Sequence, residues 1–367
     1  MTSDSADILI VLGTRPEIIK LAPIIRALER DPSLSYRILH TGQHYDDELS
    51  GAFFRDLNLP KPDERLEIGS TTQGQQTANA LVGIEAEITE YDPSAVVALG
   101  DTNAVLSAAL ATSKTNADFV HLEAGIRSFD RTMPEEVNRV LADAVADIAF
   151  APTETAVENL SNEAVPGRVH QFGNTIVDAC LKHTDIAATR SDVLSELQVS
   201  PREYVVATIH RPHNTDDADR LRATVTALDT QEFPVFLPAH PRTSEAIRGL
   251  EVTLDGSLTI LDPLDYLDFL QLLDKARVVV TDSGGIQEEA SILEVPCLTV
   301  RPNTERPETI DAGVNELVEP STLAASLSDL FADNDKIASM TGHPDLYGTG
   351  ETTTRIVEVL AERFGSK

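Results

Sequence analysis

Residues 281–290 read TDSGGIQEEA, and two glycines there separate a hydrophobic run, VVVTD, from a stretch with helical spacing. Glycines let an anion approach the backbone, and the first turn of a helix offers unpaired N–H groups and a positive partial charge. Ser283, Gly284 and Gly285 are therefore a candidate phosphate cradle. Glu289 lies four residues past Gly285 on the same helix face, where a carboxylate accepts from sugar hydroxyls. Such a pattern reads as a nucleotide bound diphosphate-first; a structural turn followed by two solvated glutamates is the competing reading. Arg306 in TERPE is a further candidate phosphate cation, and Phe269 in DYLDFLQLL either stacks on a base or packs in a core. No GxGxxG follows the first hydrophobic run and no GxxxxGK with Ser or Thr occurs, so the ordinary dinucleotide and P-loop readings fail.

A second group of residues has the types needed for acid–base chemistry. GTRPEIIK brings Arg15 and Lys20, GDTN brings Asp101, HLEAG brings Glu123, and FDRTMPEEVNR brings Glu135, Glu136 and Arg139. Carboxyl groups whose pKa values are pushed apart serve as general acid and general base. Capping explains some of them equally well. Asp101 suits the cap of a helix over 102–113, and Glu135 and Glu136 follow Pro134 in a first turn, where the helix dipole favours carboxylates. HRPHN supplies His210, Arg211 and His213, and AHPR supplies His240 and Arg242. The pair His210 and His213 carries Pro212 between its members, lies off any helix face, and has no matching Cys or Glu nearby, so ligand binding or proton transfer is expected there rather than a metal.

These residues share one position: each group directly follows a short apolar run. Runs at 7–13, 35–42, 94–100, 118–124, 147–152 and 168–173, and again at 203–210, 233–240, 258–263, 276–282 and 295–300, alternate with helical patterns. Most are continuous rather than alternating, as in parallel strands covered on both faces. The expectation is an α/β protein of two doubly wound Rossmann-like domains facing a cleft, with ligands at the carboxyl ends of the strands. A helical segment near 175–200 interrupts the alternation. It divides the chain into a domain over 1–180 and a ligand-binding domain over 181–350, with a closing helix in 351–367 packed back on the first.

Composition bounds the partners. The 367 residues carry 60 acidic and 29 basic side chains, a formal charge of −31, with only 7 Lys against 22 Arg. Nucleic acid and anionic membranes need basic surface and are excluded as partners. A surface so acidic and so poor in Lys suits high salt, where screening removes self-repulsion. Cys180 and Cys297 read as buried thiols of a reducing compartment. No apolar run is long enough to span a membrane, and MTSDSAD leads straight into a strand rather than forming a signal peptide, so a soluble cytoplasmic protein is expected.

Taken together, GTRPEIIKLAP, TGQHYD, GDT, HLEAG, MPEEVNR, PTE at 152–154, GNTIVDA, HR at 210–211, TDSGGIQEEA and TERPE resemble, in order, the motifs of the non-hydrolysing UDP-N-acetylglucosamine 2-epimerases. The resemblance implies a GT-B-like fold, a UDP-sugar substrate, a homodimer and no cofactor. It implies inversion at carbon 2 through elimination of UDP to an enzyme-bound 2-acetamidoglucal and re-addition. By match to the motifs, Asp101, Glu123 and Glu135 are the carboxylates at the sugar, and His210 lies near the diphosphate. Arg15, Lys20, Arg139, His240, Ser283, Gly284, Gly285, Glu289 and Arg306 contact the UDP-sugar, with Phe269 near the uracil. HRPHN places His213 where many relatives carry Glu, and TGQHYD is shared with relatives acting on diacetamido uronic acids.

Overall fold

The computed structural model describes residues 6–42, 53–69, 71–342 and 344–366. ILIVL (β1, Ile8–Leu12) and AVVAL (β4, Ala95–Leu99) have no polar residue on either face, and both are buried along their whole length. Strands of this kind require helices on both sides of their sheet.

The chain divides into two units, one of Met1–Ala179 with Tyr347–Lys367 and one of Cys180–Leu346. In the first unit β1 and β4 sit at the centre of a seven-stranded parallel sheet ordered β3-β2-β1-β4-β5-β6-β7. Its other members are β2 (Tyr36–His40), β3 (Glu64–Arg65), β5 (Asp118–Leu122), β6 (Ile148–Ala151) and β7 (Arg168–Gln171). The second unit repeats the winding in six parallel strands, ordered β10-β9-β8-β11-β12-β13. These are β8 (Val205–Thr208), β9 (Val235–Pro238), β10 (Leu258–Leu261), β11 (Val278–Thr281), β12 (Cys297–Thr299) and β13 (Asn315–Leu317). In each sheet the order reverses once, between β1 and β4 and between β8 and β11; loops at the carboxyl ends of those strands diverge and leave a crevice there.

Sequence periodicity missed two strands, and the physical reason is the same for both. The two residues of β3 and the three of β13 are too few for an apolar run, and pairing with a neighbour strand defines them. The continuous-run expectation also fails at β7 and β10, where RVHQ and LTIL are largely exposed. Both are outermost in their sheets.

Helix Thr352–Phe364 belongs to the first unit and packs on helix Arg15–Arg30. Thr353 N–H donates to Asp178 at 3.0 Å, and Arg363 Nε to Asp118 at 2.7 Å. Cys180 and Cys297 are both buried thiols. Among the described residues no helix is long and apolar enough to cross a membrane.

Candidate active site

In the first unit, Arg15 opens the helix after β1 and is exposed, its guanidinium 5.4 Å from the Phe53 ring centre. Two residues on, Glu17 folds back over the turn. Its Oε2 accepts the N–H groups of Gly13 and Thr14, each at 2.7 Å, and its Oε1 accepts the Thr102 hydroxyl at 2.6 Å. Burial pushes the Glu17 carboxyl up, against the pull of those hydrogen bonds. Glu17 thereby laces the exit of β1 to the exit of β4 across the crevice. Gly13 permits the close fit, since a Cβ there would stand 2.1 Å from the Thr41 hydroxyl oxygen.

Lys20, one turn further, meets a different strand exit. Its Nζ is 2.5 Å from Glu123 Oε1, and Asn174 Nδ2 donates to the same oxygen at 2.6 Å. The Lys20 and Glu123 side chains are each 9% exposed. Glu123 directly follows β5 and takes a left-handed backbone, φ 62°. Its Oε2 lies over Gly100, the left-handed residue (φ 89°) that precedes Asp101. Leu99 and Leu122 are partners in the β4–β5 ladder, so Asp101 and Glu123 leave adjacent strand ends.

Asp101 does not cap the following helix. That helix is Asn103–Thr112, and Thr102 is its cap, accepting from Val105 N–H at 3.4 Å. The Asp101 carboxylate is instead paired with Arg139 Nη2, and its backbone carbonyl accepts from Asn138 Nδ2 at 2.9 Å. Arg139 is buried and also donates to Glu136 at 3.0 Å. The two glutamates of MPEEVNR separate. Glu136 is buried and accepts from the N–H groups of Ser128 and Phe129, both at 2.9 Å, whereas Glu135 is exposed at the start of the helix.

In the second unit, the crevice between β8 and β11 is organised by Asp282, which is fully buried directly after β11. Its carboxylate accepts the N–H groups of His210 and Arg211 at 3.1 and 3.0 Å and Asn214 Nδ2 at 3.0 Å. His210 Nδ1 lies 3.0 Å from its Oδ1. Burial raises the Asp282 carboxyl, but the hydrogen bond and charge of His210 and the Asn214 amide outweigh it and hold the group below the usual carboxylate range. With Nδ1–H committed to Asp282, the outward Nε2 of the half-exposed ring is left for a ligand.

Ser283 caps helix Gly284–Ile292 with an extended backbone. A Cβ on Gly284 would meet Glu305 Oε1 at 2.7 Å, whereas the space beside Gly285 is open apart from the Ser283 hydroxyl at 3.9 Å. Glu305 gathers Arg211 at 3.0 Å and Arg301 at 2.7 Å; burial opposes its charge, but Arg306, Arg301 and Arg211 bring its pKa down to about 2. Arg306 is itself buried, its Nε donating to Glu288 at 2.6 Å. Glu289 is buried on the next position and accepts the Tyr266 hydroxyl at 3.3 Å. Phe269 is half-buried on helix Tyr266–Asp274, and His240 is the exposed cap of helix Pro241–Arg248. His213 is exposed in the short helix Pro212–Thr215. Gln43 and His44 of TGQHYD lie outside the described residues.

Each unit thus concentrates its polar groups at its own switch point. The family model described as UDP-N-acetylglucosamine 2-epimerase matches residues 26–361. The chain belongs to that family. The UDP-N-acetylglucosamine 2-epimerase of Methanocaldococcus jannaschii is 42% identical over 362 residues, covering 96% of this chain and 98% of that protein. A crystal structure of the Methanocaldococcus jannaschii UDP-GlcNAc 2-epimerase in complex with UDP-GlcNAc and UDP matches with a TM-score of 0.86 at 41% identity, covering 97% of this chain and 99% of that one. The UDP-2,3-diacetamido-2,3-dideoxy-D-glucuronate 2-epimerase of Pseudomonas aeruginosa is 38% identical over 364 residues, covering 97% and 99%. Membership places this epimerase-family chain among the isomerases and its two parallel-sheet α/β units in the GT-B-like fold.

Sequence reading of the site assigned no role to Glu17, Asn174, Asp282 and Glu305. All four stand inside the quoted motifs, in GTRPE, GNT, TDSGG and TERPE. Each is held against another residue, and only the tertiary contact shows which one.

Proposed function

We propose that this protein interconverts UDP-GlcNAc and UDP-ManNAc, eliminating UDP to a 2-acetamidoglucal and adding it back with the opposite configuration at carbon 2. The observation that carries this reading is the pair of carboxylates on adjacent strand ends. Asp101 is paired with Arg139, and Glu123 is held between Lys20 and Asn174. In the forward half-reaction a base removes the carbon 2 proton, the C–H electrons form the C1=C2 double bond, and the C1–O electrons leave with UDP. In the return, a UDP oxygen adds to carbon 1 and a proton reaches carbon 2 from the other face. Nothing is oxidised or reduced overall. The carbon 2 proton is weakly acidic, so the base must be positioned and the departing diphosphate stabilised by charge.

Asp101, Glu123 and Glu135 are assigned the proton transfers. His210, oriented by Asp282, is assigned to the departing diphosphate through Nε2. Ser283, Gly284 and Gly285 are assigned to the phosphates, with Arg15, Lys20, Arg139, His240, Glu289 and Arg306 as further UDP-sugar contacts and Phe269 at the uracil. The identity to the Methanocaldococcus jannaschii enzyme supports UDP-GlcNAc as substrate; the 38% identity to the Pseudomonas aeruginosa enzyme supports a diacetamido uronic acid nucleotide as the second reading. A homodimer rests on the family resemblance, and a high-salt cytoplasm on the formal charge of −31.

The test is incubation with UDP-GlcNAc in deuterated, high-salt buffer, following carbon 2 by NMR. UDP-ManNAc carrying deuterium at carbon 2 is expected. Free ManNAc plus UDP would mean a hydrolysing enzyme. Neither exchange nor product with UDP-GlcNAc, but both with the diacetamido uronic acid nucleotide, would move the assignment to the second reading.

A further inference from the structure

His121 lies in β5, two residues before Glu123, and its side chain is completely buried. Both ring nitrogens face acceptors. Nδ1 is 2.6 Å from Asp143 Oδ1, and Nε2 is 2.8 Å from the backbone carbonyl oxygen of Gly100. Asp143, on helix Pro134–Val145, is equally buried; its second oxygen accepts the N–H of Gly125 at 3.0 Å and pairs with Arg127 at 2.7 Å. Arg127 in turn pairs with Glu163 at 2.6 Å. The ring of Phe119 stacks on the imidazole, 5.8 Å between centres.

The two ends of this relay matter. Gly100, at φ 89°, directly precedes Asp101; Gly125, at φ 81°, follows Glu123 by two residues, and Glu123 itself stands at φ 62°. Glycine takes such a φ without steric cost, but at Glu123 the left-handed backbone costs energy and persists only where surrounding contacts determine it. The relay from the Gly125 N–H through Asp143 and His121 to the Gly100 carbonyl joins the turn that carries Glu123 to the turn that carries Asp101.

We propose that His121 and Asp143 are positioning residues that set the spacing of the Asp101 and Glu123 carboxylates. The inference rests on the epimerase reading for what those carboxylates do, but the clamp is a property of the fold. A carboxylate and a carbonyl are acceptors only, so each ring nitrogen donates and the imidazole is a cation. Its charge is balanced inside the cluster by Asp143, which also faces Arg127, with Glu163 beyond. Burial opposes the charged ring, but the Asp143 carboxylate and the hydrogen bonds to Asp143 and Gly100 outweigh it and hold His121 above the ordinary histidine range. A neutral side chain of similar size keeps the core filled but loses one of the two bonds.

Two measurements test this on the full chain. In protein labelled with 15N-histidine, in high salt at a pH just above the ordinary histidine range, one ring with both nitrogens protonated is expected, and its signals should vanish in His121→Gln. A neutral buried ring at that pH would overturn the clamp whether or not any variant folds. In kinetics, a displacement of about 1 Å at a reacting group costs about 100-fold. His121→Gln is therefore expected to lose about 100-fold in kcat, with KM and UDP affinity within about twofold of wild type. A folded variant with unchanged kcat would overturn the positioning role, provided wild type turns over. A wild-type protein inactive on both UDP-sugars would instead overturn the epimerase reading and leave the NMR result to decide the clamp.

Discussion

Among the described residues, each unit shows a His–Asp pair near the carboxyl edge of its sheet, and the two pairs are built oppositely. His121 is completely buried and both its nitrogens are occupied, by Asp143 and by Gly100. The His210 side chain is 53% exposed and, among the described residues, only its Nδ1 meets a partner, Asp282. Position along the strand accounts for the contrast. His121 is inside β5 and must find its acceptors within the core, whereas His210 lies two residues beyond β8, where the chain has turned toward solvent. The same two residue types thus yield a ring held on both sides in one unit and a ring held on one side in the other. What differs is the fate of the second nitrogen.

The comparison can be sharpened by substitution. The largest loss is expected at the group the buried brace serves. Glu123→Gln should lower kcat by about 1,000-fold while leaving UDP affinity intact, because an amide neither takes nor returns a proton. Turnover near wild type would remove Glu123 from the proton-transfer set. Next comes the exposed pair. Asp282→Asn should lower kcat by about 10- to 100-fold, since an uncharged amide holds the His210 Nδ1–H less firmly and orients the ring less well. An unchanged kcat would show that turnover does not depend on the orientation Asp282 gives His210. Gly284→Ala, which drives a methyl group against Glu305, should weaken UDP binding by about tenfold with little change in fold stability. Equal affinities by calorimetry would mean that the helix tip tolerates a displaced Glu305 and that close backbone approach is not needed there.

The smallest effect expected is on stability, and its pH window differs between the depressed carboxylates and the buried histidine. Asp282 is held below its ordinary value and Glu305 at about 2, so their contributions are present above the usual carboxylate range and are lost as pH falls toward those depressed values. His121 is held above its ordinary value, so its contribution is present below about pH 6.5 and is lost as pH rises through the raised value. Melting temperatures of wild type and Glu305→Gln should therefore converge between about pH 4 and pH 2, and those of wild type and His121→Gln should converge on the alkaline side. Parallel curves in either range would contradict the corresponding assignment.

Much of the scaffold was legible in the linear chain. Continuous apolar runs announced the central strands because a parallel strand covered on both faces has no polar side to show. GTRPE and TDSGG announced the β1 and β11 exits because Pro suits a helix start and glycine a close backbone approach. The short strands β3 and β13 and the exposed edge strands β7 and β10 were not legible in that way, because pairing defines the first two and sheet position the others.

Residue types and their place after strands were determined locally, by backbone conformation and by which side chains a core excludes. Partners were not. Glu17 meets Thr102 across 85 positions, Lys20 meets Glu123 across 103, and Arg211 meets Glu305 across 94. No sequence period encodes separations of that size; strand order does, by bringing the ends of β1, β4 and β5, or of β8, β11 and β12, side by side. Sequence by itself therefore set which groups stand at the strand ends. Tertiary structure alone decided which of them are buried, which are paired, and which of two histidines keeps a nitrogen for a ligand.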